Sequence, residues 1–288
     1  MSKWKGRSKG NVFGYLIFIR LIRFFGIRAA YHLLNVVALY YFLFSLSPKR
    51  NLKAFYLKIP SLSTGLHKLV LRNFIFLGKC LIDRYAFQLG AADKITYTEE
   101  GEHYLKELNQ AGKGAVLISG HLGNWDIAGN LLKSLDTKLN VVMYDGEAKR
   151  LKAFLEKTVG KPAFNIIGIK EKDLSHIFEI KAALGRGEMI CIHGDRFVEG
   201  AKTLPLKMFG QDTQLPLGPF QIAALMKVPY AFVYAVKSGD YSYHFSCTEP
   251  KISRDPKLIA QEYLTTLEDK VQKYPEQWFN YHPFFSLS

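Results

Sequence analysis

Apolar positions are almost continuous from Val12 to Leu46, recur on one helical face from Thr64 to Gln88, and then come in short runs separated by amphipathic stretches. Each pattern predicts a different kind of element. Val12 to Ile27 is apolar apart from Arg20 and Arg23, which lie three apart and share a helical face. That is an interfacial amphipathic helix more than a span. Ala29 to Leu46 runs 18 residues without a formal charge, broken only by polar His32, Asn35 and Ser45. As a helix it is ~27 Å long, just short of a bilayer core. Bases flank both ends, so loop charge chooses no orientation. Two arrangements fit: a single transmembrane anchor, or a two-helix hairpin dipping into one leaflet, which the even flanks favour. The bland alternative is a helix pair buried in the domain core. A signal peptide is disfavoured, because the apolar stretch starts late, carries arginines and lacks a small-residue cleavage site.

Ser47-Pro-Lys-Arg-Asn reads as a turn and divides the chain into residues 1–48 and 49–288. Leu66, Leu69, Phe74, Leu77, Leu81 and Ile82 give the Thr64–Gln88 helix a broad apolar stripe. Strands are expected at Ile95–Thr98, Ala115–Ser119, Leu139–Tyr144, Asn165–Gly168, Met189–His193, Tyr230–Val236 and Tyr241–Cys247. Helices are expected at Glu102–Gln110, Trp125–Leu135, Glu147–Thr158, Lys172–Leu184, Pro219–Met226 and Lys257–Lys273. Strand and helix alternate, which predicts an α/β fold with a layered mixed sheet flanked by helices behind an N-terminal hydrophobic helical anchor.

Charge changes the picture of the N-terminus. The net charge is +14, and no acidic residue precedes Asp83. The 14 bases before it account for the whole excess, since the other 25 Lys and Arg balance 25 Asp and Glu. A basic segment rich in Phe, Ile and Leu suits an anionic membrane surface. Nucleic acid is the rival partner for a basic chain, but it expects a recognition module or basic face that is absent from the pattern. Cys80, Cys191 and Cys247 are scattered and odd in number, as expected of reduced thiols facing the cytosol.

The densest chemistry is Ile118-Ser-Gly-His121-Leu-Gly-Asn124-Trp-Asp126-Ile127. An apolar strand runs into a His bracketed by Gly120 and Gly123, and Asn124 is a good N-cap for the helix that follows. Strand ends that meet helix N-termini are where open α/β sheets place ligands. His121 is the candidate general base, and Asp126 the carboxylate that sets its tautomer. Backbone N–H groups of Gly123 and Asn124 are candidates to stabilise an oxyanion. His244 and Glu249 repeat the spacing, but in an alternating strand where it carries no chemistry. A second cluster, Cys191-Ile-His193-Gly-Asp195-Arg196, also follows an apolar strand and should open on the same sheet edge. Arg196 has the planar fork to hold a phosphate or carboxylate, and Asp195 can orient it or contact an acceptor. His193 reads as a strand-end residue and not as a metal ligand, because no zinc-type spacing accompanies it. The aromatic tail Tyr274 to Phe285 reads as a final packing element over the core.

Gly120-His-Leu-Gly-Asn-Trp-Asp126 resembles the signature block of the lysophospholipid acyltransferase superfamily, above all its late lipid A acyltransferase branch. There Gly-His-x-Gly-Asn-Trp-Asp/Glu is characteristic. The resemblance extends from about Lys94 to the tail, and Asp195-Arg196 is similar to an Asp-Gln or Asp-Arg pair of that branch. Glu199-Gly200-Ala-Lys202 imitates the wider superfamily's alternative block. Two features depart from the pattern. The second proline expected near Val228-Pro229 is missing, and the intervening arginine block has only Lys149, Arg150 and Lys170 to offer. The resemblance implies a glycerolipid acyltransferase-like fold for residues 49–288. It implies acyl transfer from acyl carrier protein or coenzyme A to a lipid A-type precursor, with the thioester as co-substrate and no further cofactor. An amino-acid lipid or a pigment is an alternative acceptor. The implied place is the cytoplasmic face of the inner membrane. A hydrolase that uses the same pair, and a non-catalytic lipid-binding protein, are the rivals.

Overall fold

Three adjacent strands of the sheet are apolar at nearly every position, which a strand tolerates only when both its faces are covered. A computed structural model of the chain, which describes residues 12–127, 137–146, 148–149, 164–169 and 173–285, shows this arrangement. The strands are β1 (Thr96–Glu100), β2 (Ala115–Ser119), β3 (Leu139–Tyr144), β4 (Asn165–Ile169), β5 (Met189–His193), β6 (Thr203–Met208), β7 (Gln211–Pro216), β8 (Tyr230–Lys237) and β9 (Ser242–Cys247). Seven of them form one sheet in the order β1-β9-β8-β2-β5-β3-β4. All neighbours are parallel except β8 and β9. Strand alternation sends Val116 and Ile118 of β2 into one core layer and Ala115 and Leu117 into the other. Tyr230, Phe232 and Tyr234 of β8 part from Ala231 and Val233 in the same way.

The helices are α1 (Val12–Phe44), α2 (Leu46–Tyr56), α3 (Leu66–Gln88), α4 (Glu102–Ala111), α5 (Ser175–Gly185), α6 (Leu217–Met226) and α7 (Pro256–Lys273). Leu105 and Leu108 of α4 cover one face of the sheet. Residues of α2, α5, α6 and α7 cover the other, together with Trp278 of the tail. The α/β expectation therefore holds, and most predicted ends lie within a few residues of those observed. The helix expected at 147–158 falls largely outside the described residues, as does the 125–135 helix beyond residue 127.

Two local expectations are corrected. The predicted turn at 47–51 lies inside α2, because Pro48 stands in the first turn, where a helix tolerates it. Residues 203–216, absent from the expected strands, form an antiparallel hairpin, β6–β7. Its two turn residues, Phe209 and Gly210, have φ of 50° and 72°, the left-handed pair that a tight hairpin requires.

Helix α1 kinks at Gly26 (φ 76°, ψ 175°), near the end of the first of the two segments the sequence distinguished. Its inner face, with Ile19, Ile22, Ile27, Ala30, Tyr31, Leu34 and Ala38, forms a satellite core with Ile82, Tyr85 and Ala86 of α3, Ile127 and Tyr243. The contact is close, since a Cβ on Gly78 of α3 would stand 2.1 Å from Leu34 Cδ1. The outer face exposes Phe24, Phe25, Leu39, Tyr40, Leu43 and Phe44. Residues 14–44 make the helix that, among those described, is long and apolar enough to cross a membrane. The helix is thus neither wholly buried nor free of the body.

Candidate active site

Parallel pairing of β2 with β5 sets Ser119 opposite His193. Both chains then turn out of the sheet on the same edge, as expected, and two residues past each strand end stand His121 and Asp195. Gly194 N–H and Tyr263 O–H both donate to Ser119 O, at 2.8 and 3.0 Å, and tie the two turns together. Asp195 Oδ1 lies 2.8 Å from His121 Nδ1. Asp195 Oδ2 accepts the His121 backbone N–H at 2.9 Å and Trp278 Nε1–H at 3.4 Å. A carboxylate facing Nδ1 assigns that nitrogen the proton and leaves the lone pair on Nε2. The Asp195 side chain is fully enclosed, whereas that of His121 is 23% exposed. The imidazole is therefore the member of the pair that can meet a substrate.

Asp126, the carboxylate expected to orient His121, meets another partner in this geometry. Asp126 Oδ2 accepts from Arg84 Nη1 of α3 at 3.0 Å. Asn124, two residues before it, donates from Nδ2 to Cys80 O, one turn earlier on α3, at 3.0 Å, and to Tyr243 Oη at 3.2 Å. The second half of the loop is thus fastened to α3, while the first half meets Asp195. The physical reason is the helix that starts at Trp125. Five residues on from His121, the chain has already turned away from the sheet edge.

Gly123 and Asn124, the expected oxyanion donors, have their backbone N–H groups engaged elsewhere. Gly123 N–H donates to Gln277 O at 2.9 Å and Asn124 N–H to Ala235 O at 2.7 Å, so both donors serve the fold. Gly123 has φ 71°, and a Cβ there would lie 2.1 Å from Ala235 O. Its glycine is needed for close approach to β8.

The tail does more than pack. Leu122 bridges to Trp278 as an antiparallel pair, and Phe279 N–H donates to His121 O at 2.9 Å. Arg196 Nη2 donates to Phe279 O. Pro275 to Phe279 therefore lies as a short strap along the His121 loop. Aromatic density in the sequence marks the tail but not its hydrogen bonds, which join residues far apart in the chain.

His193 also enters the site. Its ring stands 4.4 Å from that of His121, edge to face at 68°, and 5.5 Å from Trp125. His121, His193 and Asp195 bring ligand-type atoms within 4.8 Å of one another, a set that can hold a metal ion despite the absence of a sequence spacing for it. The donors already on both Asp195 oxygens favour proton chemistry instead. Burial, then the Arg196 charge, holds His121 below the ordinary imidazole value of 6.5, although Asp195 pulls the other way. Burial and the neighbouring His121 lower His193 to about 3. Burial pushes Asp195 upward, but His121 and Arg196 outweigh it and hold the carboxyl well below its usual range. Burial leaves Asp126 above its ordinary value in spite of Arg84. His282 of the tail is lowered to about 4 by burial and by Arg196.

Elsewhere, His244 contacts Glu100 at 3.1 Å and Thr98 at 3.0 Å across the β1–β9 pair. Lys149 pairs with Asp145 at 2.7 Å and is exposed. Arg150 and Lys170 lie outside the described residues. The site therefore combines a neutral, partly exposed imidazole, an enclosed carboxylate on its far nitrogen and a guanidinium nearby. That is the equipment for taking a proton from a nucleophile. No curated protein matches the chain. The profile of the bacterial lipid A biosynthesis acyltransferase family matches residues 5–286, and the chain belongs to that family of acyltransferases.

Proposed function

We propose that this acyltransferase moves a fatty acyl chain from an acyl thioester to a lipid hydroxyl or amine, with His121 as general base and Asp195 as its orienting carboxylate. The observation that carries the reading is the 2.8 Å contact of His121 Nδ1 with Asp195. His121 Nε2 takes the acceptor's proton as its oxygen or nitrogen attacks the thioester carbonyl. The tetrahedral intermediate collapses, the C–S bond breaks, and the imidazolium returns the proton to the departing sulfur. Products are an ester or amide and a free thiol. Asp195 stabilises the imidazolium in between. Arg196, close enough to depress His121, supplies positive charge where the carbonyl oxygen gains negative charge.

The donor is carried by acyl carrier protein or coenzyme A, and a lipid A precursor is the default acceptor. The reaction takes place at the cytoplasmic face of the inner membrane. Support for the membrane reading is the outer face of α1, where Phe24, Phe25, Leu43 and Phe44 are exposed beside exposed Arg20, Arg23 and Arg28. Apolar side chains with bases among them suit one anionic leaflet.

The test is transfer from labelled acyl-carrier-protein or coenzyme A thioester into a total lipid extract by wild type and His121→Ala. A new labelled lipid made by wild type alone is the expected result. Label released only as free fatty acid would mark a hydrolase. Turnover by His121→Ala at the wild-type rate would refute the mechanism.

A further inference from the structure

Behind the catalytic loop lies a second buried charge cluster that the chemistry above does not use. Asp83 of α3 and Lys237 at the end of β8 form an ion pair at 2.5 Å, and both side chains are 0% exposed. Tyr31 of α1 places its hydroxyl 2.5 Å from Asp83 Oδ1 and 3.1 Å from Lys237 Nζ. Tyr243 of β9 donates to Asp83 Oδ2, and the ammonium sits 4.4 Å from the Tyr243 ring centre. Burying two charges is expensive, and apolar residues of similar size often serve stability as well or better. Stability alone is thus a poor reason for this pair.

Its connections give a better one. Tyr243 Oη accepts from Asn124 Nδ2 at 3.2 Å. The Lys237 backbone reaches the same loop by a second route. Lys237 N–H donates to Gln277 Oε1 at 2.7 Å, Gln277 Nε2 donates back to Lys237 O at 2.8 Å, and Gln277 O accepts Gly123 N–H at 2.9 Å. Lys237 is thus linked through Gln277 to Gly123 and through Tyr243 to Asn124, two positions just past His121. Tyr31 brings the N-terminal helix into the same cluster.

We propose that Tyr31, Asp83, Lys237 and Tyr243 form a positioning cluster that ties the N-terminal helix to the catalytic loop through Asn124 and Gln277. The helix is then part of the support for His121 as well as a membrane-facing element. These four act through the loop and do not touch the reacting atoms. The inference rests on His121 as the base, and the experiment separates the two.

Full-length Tyr31→Phe and Tyr243→Phe each remove one hydroxyl and keep the ring; in Tyr31 the ring still stacks on Tyr241 at 5.5 Å. Transfer is measured in detergent, per folded molecule by near-UV circular dichroism, across pH. A loop loosened by a fraction of an ångström loses alignment, so kcat should fall about 10-fold with KM for the thioester unchanged. Loosening also hydrates the His121 ring. The groups that face it are His193 from β5, Asp195 and Arg196 from the following turn, and His282 from the tail. With burial relieved, the acid limb of the kcat profile should move up toward 6.5, the ordinary value. Unchanged kcat would overturn the proposal. So would a fall that merely tracks the folded fraction with an unmoved limb, since that is a structural role. A limb that survives in His121→Ala would sink the base assignment instead. The fall in kcat per folded molecule would then judge the positioning role alone, with no fall overturning it.

Discussion

Asp126 and Asp195 flank the same imidazole in different senses, one near in sequence and one near in space. Asp126 is five residues from His121 and pairs with a guanidinium. Asp195 is 74 residues away and pairs with the ring itself. A guanidinium keeps its proton at any working pH, so its carboxylate holds structure in place. In the proposed mechanism the imidazole changes charge during proton transfer, so its carboxylate shares in that chemistry. On that proposal the same loop has a reactive half against β5 and the tail, and a structural half against α3.

The strongest way to break the comparison is to remove its centre. His121→Ala should slow transfer by about 10²–10⁴-fold, the usual worth of a general base, in single-turnover measurements, with flotation on anionic vesicles unchanged. On the structural half the expected loss is folding free energy. Asp126→Ala strands Arg84 beside an empty space, and breaking such a pair costs about 3–5 kcal/mol. The melting temperature should drop accordingly, and Arg84→Met in the same protein should recover much of it. No recovery would mean that Asp126 has a second task.

Titration sharpens the contrast next. His193 and His282 are held to about 3 and about 4 in the fold, below the 6.5 expected of an unfolded chain. Between those values the unfolded state binds more protons, so stability falls as pH drops from near 6.5 toward 4. His282→Gln should flatten part of that fall in denaturant titrations at pH 5 against pH 7.5. The smallest effect on soluble turnover belongs to the outer face of α1. Phe24→Ser with Phe25→Ser should weaken vesicle binding and leave detergent activity within about twofold, because surface changes away from the core act weakly on folding. Deleting α1 altogether should be far worse, since its inner face carries Tyr31 and a share of the core.

Much of this molecule is legible along the chain. β2, β3 and β5 announce themselves as apolar runs because the sheet is covered on both faces, and their observed ends match the expected ones. His121, Asp195 and Arg196 stand out because each follows such a run. What stays hidden is pairing. Nothing local in Asp126 reveals that Arg84 rather than His121 will meet it. That depends on how α3 crosses the loop, and the parallel register of β2 and β5 that brings up Asp195 is equally non-local. The tail shows the same limit, because aromatic density forecasts burial of Trp278 but not its bond to Asp195. The N-terminal helix shows it once more. Its apolar inner face reads like lipid-facing sequence until Gly78 and Tyr31 disclose a protein neighbour.

The most direct test of the account is the single-turnover transfer rate of Asp195→Asn beside that of Asp126→Asn, each corrected for its folded fraction. The account predicts that Asp195→Asn, which sets the wrong tautomer on His121, is slowed by about 10²-fold or more, while Asp126→Asn stays within about 10-fold of wild type, as expected of a support that still fills its place. A slow Asp126→Asn with a near-normal Asp195→Asn would contradict it and return the orienting role to the carboxylate closer in sequence.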